Sequence, residues 1–292
     1  MHAPDRGYEI HQVAALTGLT AARLRAWERR YAVVRPRRQA NGYRAYSADQ
    51  VALLRAFALL VARGERIGDL AEEPREAVVA RAAAGKSDDS TLGPFVDAVR
   101  ALDRDRLEAL VTRQLPRKGL AVFAREVVVP LAQLIGDEWA LGTLPVAAEH
   151  LASEVVVHAL KGALRAGRGG GSLLLAACLP GERHEWGVLA ALAQAPASGW
   201  RVHYLGADLP VAEVLEAAWR LTPRAVALSV SDRDLCARQL PELVALARAL
   251  PTGTLGIVGG AGAVPHRAAL GRAGLLVGER PFLRLLRSGI RA

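Results

Sequence analysis

From Ser172 to the end of the chain, short unbroken apolar runs alternate with longer amphipathic ones. "SLLLAAC" is followed by "EWGVLAALAQA", "WRVHYLGA" by "VAEVLEAAWRL", "AVALSVS" by "LPELVALARAL", and "LGIVGGA" by "RAALGRAG" and "LLVG". An unbroken apolar run of this length fits a parallel strand buried on both faces. Parallel neighbours need crossover helices, so the alternation predicts a doubly wound, Rossmann-like parallel sheet over residues 172–292. Ligands of such folds bind beyond the carboxyl ends of the strands. The loop after the first strand, "LPGERHEWG", sets Glu182 and His184 at such an end. An imidazole there can offer one ring nitrogen to a transition metal, and a carboxylate two residues earlier can hold the other. Gly187 lets a bulky ligand approach the backbone. Read alone, this is a loose motif, and a single loop histidine is more often structural than a ligand.

The remaining 171 residues leave room for one or two further domains. A composition 51% hydrophobic and 23% charged is that of a globular protein. No apolar run reaches the roughly 18 residues a membrane span needs, and "MHAPDRGYEI" lacks a signal-peptide core. A cytoplasmic protein without a membrane partner is the expectation. Cys178 and Cys236 form no CxxC pair, so a disulfide framework or thiolate metal site is not expected.

Basic charge is concentrated at the N-terminus. Residues 1–66 hold 12 arginines and five acids, a net +7 out of a total of +9. Only three of the 38 basic residues are lysine, so part of the arginine excess is compositional; the clustering points to a polyanionic partner. In "YEIHQVAALTGLTAARLRAWERRY", Val13, Ala14 and Leu16 form one apolar face and Thr17-Gly18 breaks it. Thr20 caps a second helix whose Leu24 and Trp27 face inward. This is a helix-turn-helix with the second helix as major-groove reader. "VVRPRRQANGYRAYS" adds a basic hairpin turned at Asn41-Gly42, a wing able to grip phosphates. Ser47 and Gln50 form a capping box for the next helix.

Residues 76–93 read as a linker, polar and Ala-rich with a Gly85–Gly93 stretch. Residues 94–168 read as a four-helix bundle, with breaks at Pro116 and at "LGTLP". Trp139 ends one bundle helix, and Glu149 and His150 start the next. On their own these are a core tryptophan and a solvated pair, or a pair aimed at a ligand in the bundle mouth.

Three resemblances join these parts. "LRAWERRY" with "RPRRQANGYRAYS", in a domain over residues 1–75, resembles the MerR-type winged-helix family. That implies a dimer on a two-fold double-stranded operator. It also implies DNA contacts from Arg23, Arg25, Arg29, Arg30 and Tyr31 on the recognition helix and from Arg38, Tyr43 and Arg44 on the wing. No cysteine precedes Cys178, unlike the family's metal sensors. "ERHEWG" resembles the cobalamin-binding motif Asp/Glu-x-His-x-x-Gly, which continues with Ser-x-Leu and Gly-Gly. Here Ser229 follows Gly187 after 41 residues, and Gly259-Gly260 follows Ser231 after 27. The resemblance implies His184 as the lower cobalt ligand, Glu182 behind it, and Ser229, Gly259 and Gly260 along the nucleotide-tail slot. Ser231 stands where the motif prefers Leu, a mild change in the pocket wall.

The whole order resembles the CarH/LitR group of photoreceptor repressors, whose Trp-x9-Glu-His hallmark appears as Trp139, Glu149 and His150. These residues, with Val146 beside them, are then implied to cap the upper face of adenosylcobalamin. The implied mechanism is a cofactor-driven tetramer that blocks a promoter in the dark, typically of carotenoid genes. It falls apart and leaves DNA when light breaks the cobalt–carbon bond. The chain would be a regulator and not an enzyme. One departure is Ala140, where light-sensing members carry the histidine that ligates cobalt after illumination; His158 is a conceivable substitute. A cobalamin-dependent carrier module, a light-independent cobalamin or tetrapyrrole sensor, and a ligand-free repressor are the rival classes.

Overall fold

The computed structural model describes residues 7–39, 42–62, 64–84, 91–141, 144–166 and 171–288. The chain forms two compact units. One comprises Met1–Asp103 with Leu131–Leu151, the other Arg104–Pro130 with Ala152–Ala292.

In the first unit, helices α1 (Ile10–Thr17) and α2 (Ala21–Tyr31) form the helix-turn-helix. Gly18 between them takes the left-handed conformation, φ 68°. Thr20 caps α2 by accepting from the Arg23 N–H at 3.1 Å, and Leu24 and Trp27 are buried. Strands β1 (Arg37–Arg38) and β2 (Arg44–Ala45) pair antiparallel as the wing. Asn41 at its tip lies outside the described residues. Helix α3 (Ala48–Ala62) starts with the Ser47/Gln50 capping box, at 3.1 and 3.2 Å. Helices α4 (Ile67–Ala71) and α5 (Arg75–Ala84) follow. The stretch expected to be linker is therefore helical up to Ala84. Val78 and Ala82 bury into the same core as Leu24, Leu54 and Phe57, an amphipathic pattern hidden by the Ala-rich texture. Most of the Gly85–Gly93 part of that stretch, residues 85–90, lies outside the described residues.

The helical region contains α6 (Gly93–Arg100), α7 (Arg104–Lys118), α8 (Leu120–Phe123), α9 (Val129–Leu141) and α10 (Val146–Ala166). The break expected at Pro116 falls instead at Gly119, whose φ is 77°. Pro116 sits in the last turns of α7, where glycine rather than proline ends the helix. A single π-helical turn, Ala124–Val128, joins α8 to α9. Pro130 has no N–H to donate into that turn, and the Val129 N–H reaches back five residues to the Ala124 carbonyl.

The second unit carries a five-stranded parallel sheet. Its elements are β3 (Leu173–Cys178), α11 (Trp186–Leu192), β4 (Arg201–Tyr204), α12 (Val211–Leu221), β5 (Ala225–Ser229), α13 (Arg233–Ala249), β6 (Leu255–Gly259), α14 (Arg267–Arg272), β7 (Leu276–Val277) and α15 (Glu279–Ser288). Strand order is β4-β3-β5-β6-β7, so the chain reverses direction across the sheet beside β3. Helix α13 starts earlier than its apolar pattern suggests, because Asp232 caps it by accepting from the Leu235 N–H at 2.7 Å. All six residues of β3 are buried, as a strand covered on both faces requires.

Candidate cofactor and nucleic-acid sites

Sheet register assembles the first site. Cys178 pairs with Ser229, and Ser229 with Gly259, so the carboxyl ends of β3, β5 and β6 lie side by side. This is the topological switch point at which doubly wound folds bind ligands. The loop after β3 rises from that edge, braced by Asp208, whose Oδ1 accepts from the Gly181 N–H at 2.6 Å.

Glu182 is 2% exposed, and each of its oxygens is used. Oε1 accepts from the His184 N–H at 2.8 Å and lies 2.7 Å from His184 Nδ1. Oε2 accepts from the Ser231 N–H at 2.5 Å and from the Ser231 hydroxyl. Burial alone would raise the Glu182 carboxyl; the hydrogen bonds from His184 and Ser231 outweigh it and hold it at about 2. The carboxylate thus fixes Nδ1 as the protonated nitrogen and directs the other ring nitrogen outward. The His184 side chain is 82% exposed.

Ser231 is more than the mild wall change expected from the sequence. The backbone N–H at this position would be present with leucine as well; the serine adds its hydroxyl as a second donor to the buried carboxylate. Nothing in the motif's spacing indicates that contact.

The glycines divide by cause. A Cβ on Gly260, φ 92°, would lie 2.0 Å from the Val230 carbonyl oxygen, and one on Gly262 would lie 2.4 Å from that of Asp232. Those two glycines, the second missed by sequence reasoning, let the β6 turn close against the β5 turn. At Gly187 no atom comes within 4 Å, and at Gly259 only the Leu228 carbonyl oxygen does, at 3.9 Å. Their small size answers no need of the chain's own packing, which fits a bulky group laid against them. One exposed imidazole with a fixed tautomer, beside these glycines at the switch point, fits the lower face of a corrinoid. In such a group the macrocycle itself would hold the metal on four sides, so the protein would need to supply only one ligand.

The expected cap residues are in the first unit. Trp139 on α9 is 40% exposed and Val146 at the start of α10 is 46% exposed. His150 Nδ1 lies 3.9 Å from Glu149, and the His150 side chain is 76% exposed. The Arg55 guanidinium stacks over the Trp139 ring at 5.8 Å and donates from Nε to the Leu16 carbonyl at 2.7 Å. Next to Trp139, buried Glu138 accepts two bonds from Arg100, at 2.6 and 3.1 Å, an ion pair with no sequence signature. His158, on α10, is exposed.

On the winged helix, Arg23, Arg25, Arg29, Arg30, Tyr31, Arg38 and Tyr43 are exposed. Arg44 is half-buried. Its Nε donates at 2.9 Å to Glu28 on α2, and the buried Tyr46 hydroxyl donates to the same carboxylate. Arg44 therefore ties wing to recognition helix.

Comparison with known proteins fits this geometry. Residues 8–73 match the MerR HTH family regulatory protein model, residues 172–282 the B12 binding domain, and residues 92–161 a second B12 binding domain model. The HTH-type transcriptional repressor CarH of Myxococcus xanthus is 34% identical over 96% of this chain and 98% of its own length. The chain belongs to the CarH family. The HTH-type transcriptional repressor CarA of the same organism is another relative, 32% identical over 89% of each chain. The Methanosarcina barkeri monomethylamine corrinoid protein is a distant structural likeness: 15% identity and a TM-score of 0.49 over 66% of this chain and 95% of that one. CarH-family membership makes this chain a DNA-binding regulator with a cobalamin-binding domain. Among the described residues no helix is long and apolar enough to cross a membrane.

Proposed function

We propose that this chain is a cytoplasmic transcriptional repressor that reads light through adenosylcobalamin. The observation that carries the reading is the Glu182–His184 pair. A buried, ionised carboxylate holds the Nδ1 proton, so the exposed imidazole at the sheet's switch point would present its other nitrogen to the cobalt of a bound cobalamin. When bound, adenosylcobalamin supplies a cobalt–carbon bond that light breaks. His184 holds the lower face, Glu182 fixes its tautomer, and Ser229, Gly259 and Gly260 line the groove for the nucleotide tail. Trp139, Val146, Glu149 and His150 would cover the upper face and exclude water from the adenosyl group. Loss of the adenosyl group would deprive these residues of their contact, and on this reading the dark tetramer would separate and the arginines of α2 and the wing would release the operator. The protein acts as a switch and not as an enzyme.

Ala140 favours a second reading, a cobalamin sensor indifferent to light, because no imidazole at this position can take the vacated upper face. Size-exclusion chromatography with absorbance, on protein loaded with adenosylcobalamin in the dark and then exposed to green light, separates the two. The photoreceptor reading expects a large dark assembly that shrinks as the spectrum changes. A cobalamin-loaded assembly of unchanged size sinks it in favour of the second reading.

A further inference from the structure

A chain of polar contacts lies just beyond His184 and plays no part in the function described above. Glu185, the next residue, is buried to 15% exposure, and its Oε1 receives the Lys161 ammonium at 2.7 Å and the Tyr204 hydroxyl at 2.8 Å. Tyr204 continues to the buried Cys178 thiol at 3.3 Å, and Lys161 also lies over the Tyr204 ring at 5.6 Å. One residue further, the Trp186 indole N–H donates to the Ser153 hydroxyl at 2.8 Å. Ser153 and Lys161 both belong to α10; Tyr204 ends β4 and Cys178 ends β3. The two residues following the candidate axial ligand are thus pinned from one side by a bundle helix and from the other by the sheet edge.

Such a network needs a cause. A half-buried ammonium and carboxylate are costly to desolvate, and a hydrophobic pair would pack the same joint at no such cost. What a charged, hydrogen-bonded contact adds is direction: it holds a loop in one geometry where apolar packing would let it slide. Glu182 fixes the rotation of the His184 ring and bonds the His184 N–H, but it does not tie the loop to helix α10. The contacts at Glu185 and Trp186 do.

We propose that Lys161, Ser153, Glu185 and Tyr204 are positioning residues that lock the His184 loop to helix α10, setting where the axial imidazole stands. The proposal rests on His184 being the cobalt ligand. The same helix begins with Val146, Glu149 and His150, so the clamp makes the element that carries the upper-face cap also the element that seats the lower ligand.

The test uses the full-length protein and the variants Lys161→Met, Lys161→Arg, Ser153→Ala and the double variant Lys161→Met with Glu185→Gln. In free protein, hydrogen–deuterium exchange is followed at the amides of His184 and Leu189, which are bonded to Glu182 and to the Glu185 carbonyl. In loaded protein, aquocobalamin release is followed by absorbance. Lys161→Met and Ser153→Ala should speed exchange at these amides while leaving strands β5 and β6 protected. They should also speed release by about 10- to 100-fold, the range for groups that orient a metal ligand. Lys161→Arg should restore both, and the double variant should be no worse than Lys161→Met alone, since it removes the same contact. Exchange that is unchanged, or that rises across the whole sheet, overturns the proposal, as does unaltered release. Wild-type protein that takes up no aquocobalamin would instead overturn the cobalamin reading itself; wild-type uptake with unaltered variants overturns the clamp alone.

Discussion

At the scale of single residues, two buried groups have opposite titrations. Glu182 is held at about 2 because donors from His184 and Ser231 outweigh its desolvation. Its value in the folded chain lies below the ordinary glutamate value of about 4.3. Its contribution to stability is therefore complete above that value and is lost as the pH falls toward 2. Denaturant midpoints of cofactor-free protein should drop over this interval, and Glu182→Gln should flatten that part of the curve. At neutral pH the same variant should cost about 1–3 kcal/mol, because its amide N–H2 faces donors where acceptors were needed. Cys178 moves the other way. Burial pushes its thiol up to about 11, with the Tyr204 hydrogen bond opposing. Native protein at pH 8 should leave Cys178 unalkylated by iodoacetamide, while denaturant should expose it to rapid labelling, as peptide mass spectrometry would record. Rapid labelling of the native protein would mean the β3 end is open.

At the scale of elements, the wing is a two-residue hairpin too short to stand alone, and Glu28 holds it. Its carboxylate accepts from Arg44 on the wing and from the wholly buried Tyr46 hydroxyl. Glu28→Ala leaves that hydroxyl without its acceptor and should cost about 1–3 kcal/mol in thermal unfolding. Operator affinity should fall too, although Glu28 itself repels phosphate; a gain in affinity would show that the tie is dispensable. Neither partner was legible from sequence, where Arg44 read simply as another phosphate contact. What was legible had a period or a cap. All five parallel strands, the Thr20 and Ser47 caps and the inward pair Leu24 and Trp27 follow from local pattern. What escaped depends on neighbours distant in the chain: Ser231 closing on Glu182 across 49 residues, and Arg100 on Glu138 across 38. Helix α15 escaped because its apolar residues, Phe282, Leu285 and Leu286, are spaced among arginines in a short terminal segment.

At the scale of the whole molecule, the charge is arranged to make DNA binding salt-dependent and countable. Residues 1–66 carry +7 of the chain's +9. Binding through phosphate neutralisation weakens with salt, with a log–log slope of about −0.9 per phosphate contacted. Arg38 on β1 is exposed, whereas Arg44 opposite it is tied to Glu28. Arg38→Ala should therefore make the slope less steep by about 1 for each protomer seated on the operator. A change near 2 would mean that two winged helices engage one site, as a two-fold operator demands; a change near 1 would mean a single engaged protomer. Arg44→Ala should change the slope less and lower the unfolding temperature more, because its first partner is a carboxylate of its own chain. If the two variants gave the same slope change with no loss of stability, Arg44 would be a phosphate contact equivalent to Arg38 and the wing would be held by other means. Fluorescence anisotropy on one operator duplex across a range of potassium chloride concentrations, paired with thermal unfolding of each variant, decides between them.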